Sequence, residues 1–376
     1  LTGKRRGMQS DHILRKAEPH LQTAGGMPGP FEMKTLAGGL INHVWRITCL
    51  RSQKTCILKH APPYVATNPS IELSQERIVF EKRALVAIAN EMPEMMEGRL
   101  TVPRVLFYVE DAFLLGLSDF GEDSHDLMDA IVGEKVSSES LSQEIGQCLG
   151  QWLRKLHEHA WHSSLAQCHY NTNVHAVRNS VCYTGIGEML RANCIAGDAA
   201  SLGEIAENLG RLSLNATAGC TLVMGDLWLR SILCHQDSRT QDTPTTWSLC
   251  CIDWEFSSWG LPWQDVGHCI SHLWMLGKMK PALAPVAFTM LSSFLTAYAA
   301  GEGDHHRQCR MIDCKLLIQY AACEVLVRCI GPFAPGYLTD NVTMKHALAV
   351  IAAAWLRESE RRAVTFTELT TPDWFG

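Results

Sequence analysis

Asp226 stands in the run Met224-Gly-Asp-Leu-Trp-Leu-Arg-Ser-Ile-Leu233, and Asp253 follows in Cys251-Ile-Asp-Trp-Glu-Phe256. The first acid lies on a loop ahead of a short strand-like segment, and the second ends an apolar strand-like run. Phosphoryl transfer asks little covalent chemistry of a protein. It needs a carboxylate to orient and deprotonate the attacking hydroxyl, and oxygen ligands to hold a divalent cation on the phosphates. Asp226 suits the first task. Asp253 suits the second, with Glu255 and the neutral oxygen of Ser231 beside it, because Mg2+ takes oxygen ligands and usually only one or two protein carboxylates. A hairpin between the two runs would bring both acids to one cleft. The competing reading, two accidental surface acids, has to explain why both motifs occur in order and on strands.

A second set of residues lies upstream. Leu36-Ala-Gly-Gly-Leu-Ile-Asn-His-Val-Trp-Arg46 places Gly38 and Gly39 just before a strand, where backbone without side chains can approach a triphosphate. A glycine pair alone is equally a simple turn. Lys59 ends the next apolar strand, where its ammonium can neutralise phosphate oxygens, and a helix carboxylate must then fix it. Glu81 is the first candidate and Glu76 the second. Trp228, Arg230 and Trp254 flank the acids and are candidates to face the acceptor, although both indoles could equally pack against the hairpin. His157, His159 and His162 cluster near a helix end, where solvated or capping roles outweigh metal ligation.

The elements that must position these groups fall into two blocks. A helix is expected over Asp11–Leu21, capped by Asp11, and the Gly- and Pro-rich stretch from Thr23 to Pro30 then breaks the chain. From Phe31 to Phe120 the pattern is strand-like: Val44–Leu50, Cys56–Leu58, Val105–Val109 and Phe113–Leu117, with one helix over Glu72–Asn90. After Phe120 the period becomes helical. Ile145, Cys148, Leu149, Trp152, Leu153 and Leu156 mark one helix face, and helices follow at about 185–212, 264–280, 285–300, 310–330 and 343–363. Only Ile232–Phe256 interrupts them. The expected division is a helix and linker over 1–30, a five-stranded sheet lobe over 31–119, a helical lobe over 120–363 and a tail over 364–376.

Composition narrows the function classes. The 376 residues are 47% hydrophobic and 19% charged, with a net charge of −6 and no long basic stretch, so no nucleic-acid footprint is present. The fifteen cysteines are odd in number, irregular in spacing and lack any C-x-x-C pair, which fits reduced thiols and a cytoplasmic protein rather than a disulfide scaffold. No apolar run follows Lys4, Arg5 and Arg6, so a secretory leader is not expected. Pro281–Ala300 carries no ionisable side chain, but its Ala, Ser and Thr content and Pro285 favour a buried helix over a membrane span. A monomer or weak dimer is expected.

These motifs resemble the aminoglycoside phosphotransferase and methylthioribose kinase superfamily. The likeness covers roughly residues 31–275 and is strongest to the fungal branch that contains the 4-hydroxytryptamine kinase of psilocybin biosynthesis. It rests on Leu36-x-Gly-Gly-x-x-Asn-x-x-Trp-Arg46, Ile57-Leu-Lys-His-Ala-x-Pro63, Leu222-Val-Met-x-Asp-Leu-Trp228 and Asp253-Trp-Glu255. The resemblance implies an α+β, bilobal protein-kinase-like fold with a small antiparallel-sheet N-lobe and a large, mainly helical C-lobe. It implies ATP and Mg2+ as cofactors and a small-molecule hydroxyl as acceptor. Gly38, Gly39 and Asn42 would belong to the nucleotide loop, Lys59 and Glu81 to the phosphate clamp, and Ser118, Asp119 and Phe120 to an adenine-binding connector. Asp226 would be catalytic, Asp253, Ser231 and Glu255 would be metal ligands, and Asp265 would brace the catalytic loop. Met224 replaces the superfamily's usual His, and Ser231 its usual Asn, with Arg230 where Gly is common. These departures leave a nucleotide-binding pseudokinase as the alternative. The loop lacks H-R-D, the metal motif is not D-F-G and no A-P-E-like segment follows, which argues against a protein kinase. Sugars, amino alcohols and hydroxylated aromatics all remain open as acceptors.

Overall fold

The structure, a computed structural model, describes residues 2–36, 39–159, 169–215, 221–237, 246–300, 313–338 and 341–370. The chain divides into two compact units. The first comprises Leu1–Ser124 and His235–Phe256, and the second His125–Cys234 and Ser257–Gly376. The first unit thus takes in residues 1–30 and, from later in the chain, 235–256.

In the first unit the strands are β1 (Phe31–Thr35), β2 (His43–Cys49), β3 (Thr55–His60), β4 (Tyr64–Val65), β5 (Asn68–Glu72), β6 (Leu100–Thr101), β7 (Val105–Val109) and β8 (Leu114–Ser118). Among the described residues one antiparallel sheet runs in the order β1-β2-β3-β8-β7, the five strands expected. Alternation decides its two faces. Trp45, Ile47 and Cys49 on β2, with Cys56 and Leu58 on β3, turn to one side and are buried there. Helix α1 (Thr2–Thr23) covers that side with Ile13, Ala17 and Leu21, four residues apart and so on one helical face. The helix starts well before Asp11, which is mid-helix and exposed rather than a cap. Lys59, one residue after Leu58, points to the opposite side, toward α2 (Arg77–Glu91). That helix is shorter than the Glu72–Asn90 expected, because Asn68–Glu72 pairs with Tyr64–Val65 in the β4–β5 hairpin.

The second unit contains β9 (His125–Asp126), β10 (Thr221–Val223) and the start of β11 (Ile232–Asp237). Strand β12 (Thr246–Cys251) belongs to the first unit, where it pairs in parallel with β6. In the second unit β13 (Ser258–Gly260) pairs with β10, and β11 with β9. The helices are α3 (Leu127–Val132), α4 (Glu139–Glu158), α5 (Thr172–Asn179), α6 (Ile186–Ala192), α7 (Ala199–Ser213), α8 (Trp263–Met279), α9 (Ala284–Ala299), α10 (Cys314–Ile330), α11 (Val342–Arg361) and α12 (Phe366–Leu369). Helix α4 packs along α9 at its glycines. A Cβ at Gly146 would lie 2.4 Å from the Met290 carbonyl oxygen, and one at Gly150 2.3 Å from that of Phe294. Pro281–Ala299 is long and apolar enough to cross a membrane by length and composition, and it is partly buried against α4. Helices α8 and α10 are buried along nearly their whole length and carry the polar groups described next.

Candidate active site

In the first unit the Lys59 ammonium, 3% exposed, lies 2.9 Å from Glu81 Oε1 and 2.7 Å from Asp253 Oδ1. Burial alone would push this ammonium down. Asp253, Glu81 and Glu255 more than offset it and hold it above the ordinary lysine value, so it stays charged. Glu81 is therefore the helix partner of Lys59, and Glu76 is not. Asp253 has φ +65°, a left-handed conformation that side chains other than glycine seldom adopt. Its carboxylate is nearly half exposed, in contrast to buried Lys59 and Glu81. Asn42 is buried, donating from Nδ2 to Glu255 Oε2 and accepting at Oδ1 from Arg77 Nε at 2.9 Å. Burial pushes the Glu255 carboxyl up to about 8, against the opposing pull of Lys59.

Trp254, between the two acids, is fully buried, and its Nε1–H donates to the Cys251 carbonyl at 3.0 Å. Its ring belongs to the core, the packing alternative that the sequence left open for this residue. In the connector, the Ser118 amide donates to the Arg104 carbonyl and its hydroxyl accepts from the Arg104 amide, both at 2.9 Å. Asp119 receives a two-pronged contact from Arg46 at 2.6 and 3.0 Å. Burial would raise the Asp119 carboxyl, but the Arg46 guanidinium and the Gly121 amide hold it below the usual value. Phe120 is partly exposed. Gly39 follows β1 close to Asn42, where a Cβ would come within 3.0 Å of the Asn42 carbonyl oxygen. Gly38 and His162 lie outside the described residues.

In the second unit Asp226 occupies the loop after β10. Two backbone amides of that loop, Met224 N and Gly225 N, donate to Asp265 Oδ2 and Oδ1 at 2.7 and 2.8 Å, the bracing that the resemblance implies. His157 is buried beneath it, with Nε2 3.3 Å from Asp265 Oδ2 and Nδ1 2.8 Å from the Tyr298 hydroxyl. It is neither solvated nor a cap. The Ser231 hydroxyl closes the loop. It accepts from the Trp228 amide at 3.0 Å and lies 2.8 Å from the Trp228 carbonyl oxygen. A metal-ligand role for Ser231 thus competes with one already filled. Arg230 is engaged too, by Asp126 at 2.7 Å and Asp129 at 3.0 Å. Those bonds tie the loop to the start of α3, whose N-cap is Asp126. Trp228 is partly exposed, with its ring 5.1 Å from that of His272 and the Arg328 guanidinium 5.6 Å from its centre.

Sequence reasoning missed the charged network around Asp226. Arg178 Nη2 lies 3.4 Å and Arg328 Nη2 3.6 Å from Asp226 Oδ1. Behind them Glu324 accepts from Arg328 Nε at 2.7 Å and faces His272 Nε2 at 3.0 Å and His268 Nε2 at 3.8 Å. Burial would raise the Glu324 carboxyl, but the Arg328 guanidinium and the hydrogen bond from His272 hold it well below the ordinary value. Burial, then Arg178, drives His268 down to about 3, so its ring is neutral and can accept from Arg178 Nη2. The signal was available in α10: Glu324 and Arg328 are an i, i+4 pair inside an otherwise apolar helix, and buried charges need partners.

Among the described residues no group of three or more His, Cys, Asp or Glu side chains is placed to hold a metal. A cation here would rest on one or two carboxylates with its other ligands drawn from phosphate and water. Half-exposed Asp253, with Glu255 two residues on, fits Mg2+ in that manner.

Comparison with known proteins places this geometry in context. The 4-hydroxytryptamine kinase of Psilocybe cyanescens is 24% identical over 279 residues, 72% of this chain and 74% of that protein. The 4-hydroxytryptamine kinase of Psilocybe cubensis is 24% identical over 276 residues, 71% and 74% of the two chains. Among solved structures, a choline kinase from Cryptosporidium parvum aligns over 91% of this chain and 94% of its own, at a TM-score of 0.49 and 11% identity, a distance at which no functional argument follows. A model of the phosphotransferase enzyme family matches residues 32–312, which spans β1 to β13, Lys59, Asp226 and Asp253. The chain belongs to the phosphotransferase enzyme family.

Proposed function

We propose that this phosphotransferase is an ATP- and Mg2+-dependent kinase that phosphorylates a hydroxyl group of a small molecule. The observation that carries the reading is the buried Lys59 ammonium held between Glu81 and Asp253. An ammonium so placed can neutralise phosphate oxygens, and a carboxylate so placed can hold a cation on them. Mg2+, when bound at Asp253 and Glu255, would supply the charge that stabilises the leaving phosphate oxygens. Asp226 orients the acceptor hydroxyl and takes its proton. The hydroxyl oxygen forms the new bond to the γ-phosphorus, the bond from that phosphorus to the β-bridging oxygen breaks, and ADP leaves with that electron pair. Arg178 and Arg328 both approach Asp226 Oδ1, which holds the carboxylate in one orientation toward the acceptor.

The two curated relatives are named for 4-hydroxytryptamine, which puts hydroxylated aromatics first among acceptors, ahead of sugars and amino alcohols. Partly exposed Trp228 offers such a ring a stacking surface. We place the protein in the cytoplasm as a monomer or weak dimer. The free thiols of Cys49, Cys56, Cys234, Cys250, Cys269 and Cys323, all buried, support a reducing compartment. The test is transfer of label from γ-labelled ATP to a panel containing 4-hydroxytryptamine, choline, ethanolamine and sugars. Labelled product from a hydroxylated acceptor supports the kinase. ATP binding without transfer to any acceptor would favour a nucleotide-binding pseudokinase.

A further inference from the structure

Arg77 has no part in the chemistry just described, yet it is a fully buried arginine with an unusually complete set of acceptors. Its Nε donates to Asn42 Oδ1 at 2.9 Å. Nη1 reaches the Ser74 carbonyl at 2.6 Å and that of Leu73 at 3.2 Å, and Nη2 reaches the Pro62 carbonyl at 2.8 Å and that of Ile41 at 3.4 Å. One guanidinium thus ties the entry of α2 to the glycine-rich loop and to the chain leading into the β4–β5 hairpin. The hairpin turn holds the same loop independently: Ala66 N donates to the Ile41 carbonyl and Thr67 N to that of Leu40, each at 3.1 Å. Asn42 then carries the connection onward, since its Nδ2 donates to Glu255 of the metal motif. The obligate donor Arg77 on its oxygen fixes the amide orientation and turns its nitrogen toward Glu255. Asn42 is therefore the link between the loop that would cover the nucleotide phosphates and the acids that would hold their cation.

We propose that Arg77, acting through Asn42, is a positioning residue that couples the glycine-rich loop to Glu255, so that nucleotide and divalent cation bind cooperatively. The inference rests on the ATP- and Mg2+-dependent reading above. Its test is calorimetric titration of ATP into the full chain with saturating Mg2+ and with a chelator, the ratio of the two dissociation constants being the coupling. Asn42→Leu keeps the branched shape but removes both hydrogen bonds. It is expected to cut the ratio about tenfold, equivalent to about 1.4 kcal/mol, whatever it does to ATP affinity in chelator. Arg77→Lys should act in the same direction, because a single ammonium cannot reproduce the planar fork. A merely structural role would weaken both titrations together and leave the ratio where it was, and that result overturns the proposal. If the leucine variant does not fold, Asn42→Ser, too short to span Arg77 and Glu255, decides the matter by the same ratio. Absence of ATP binding by the unmodified protein under both conditions would instead overturn the kinase reading, and the relay with it.

Discussion

An ammonium fixed by two carboxylates, as Lys59 is by Glu81 and Asp253, stays charged and stays in place, the two properties a phosphate clamp needs. Lys59→Ala removes that charge and leaves Glu81 buried without its partner. We expect it to lower stability by about 3–5 kcal/mol, as breaking a buried pair does. The rise in Tm that ATP and Mg2+ give the unmodified protein should shrink or vanish, and differential scanning calorimetry measures both effects. Lys59 and Glu81 were legible from the strand and helix that carry them, and Asp265 through the family resemblance alone. Arg178, Glu324 and Arg328 were not, since they come from helices far along the chain and only folding brings them to Asp226. Trp254 stood open in the sequence between an acceptor contact and packing against the hairpin, and its complete burial puts it in the core.

At the scale of elements, α4 and α9 meet backbone to backbone at Gly146 and Gly150. Gly150→Ala must move the Phe294 carbonyl or α4 itself, at a cost of about 1–3 kcal/mol, the range for overpacking. Tyr298, one turn beyond Phe294, bonds His157, which supports Asp265, so the substitution should also lower kcat. Chemical denaturation and steady-state kinetics test the two effects separately. Helices α5, α8 and α10 together bury His268, which faces Arg178, Glu324, Arg328 and Asp265. Its folded pKa of about 3 lies below the ordinary 6.5, so the neutral ring contributes stability above about pH 6.5. That contribution is lost as pH falls from there through about 3, because the unfolded chain takes the proton first. His268→Gln should flatten the fall in Tm between pH 7 and pH 5; the raised Glu255 carboxyl acts in the opposite direction over that window, but equally in both proteins, so it cancels in the comparison. The sheet strands β2, β3, β7 and β8 and most long helices were readable from period and apolar faces. The one helix expected at about 185–212, however, is two, α6 and α7, and the short strands β10 and β13 carry too few residues to show a period. The start of α2 was not readable either, because the short β4–β5 hairpin before it owes its form to contacts with the glycine-rich loop rather than to its own pattern.

The whole molecule is two units whose boundary the chain crosses more than once. The sequence suggested consecutive lobes, since one block reads as strands and the next as helices. It could not show that His235–Phe256 returns to the first unit, a grouping that depends on the parallel pairing of β12 with β6 and on burial of Trp254 and Glu255. The acids of the Asp253–Glu255 motif consequently belong to the same unit as Lys59, whereas Asp226 belongs to the helical unit with its arginines. In the proposed reaction the first group serves nucleotide and cation and the second serves the acceptor. Asp226→Asn separates these roles most directly. At saturating ATP and Mg2+, with an acceptor identified from the panel, it should lower kcat by about 10²–10⁴-fold, the range for lost acid–base assistance, and leave the ATP dissociation constant within about twofold. Phosphoryl transfer that proceeds at the unmodified rate in Asp226→Asn would contradict the assignment.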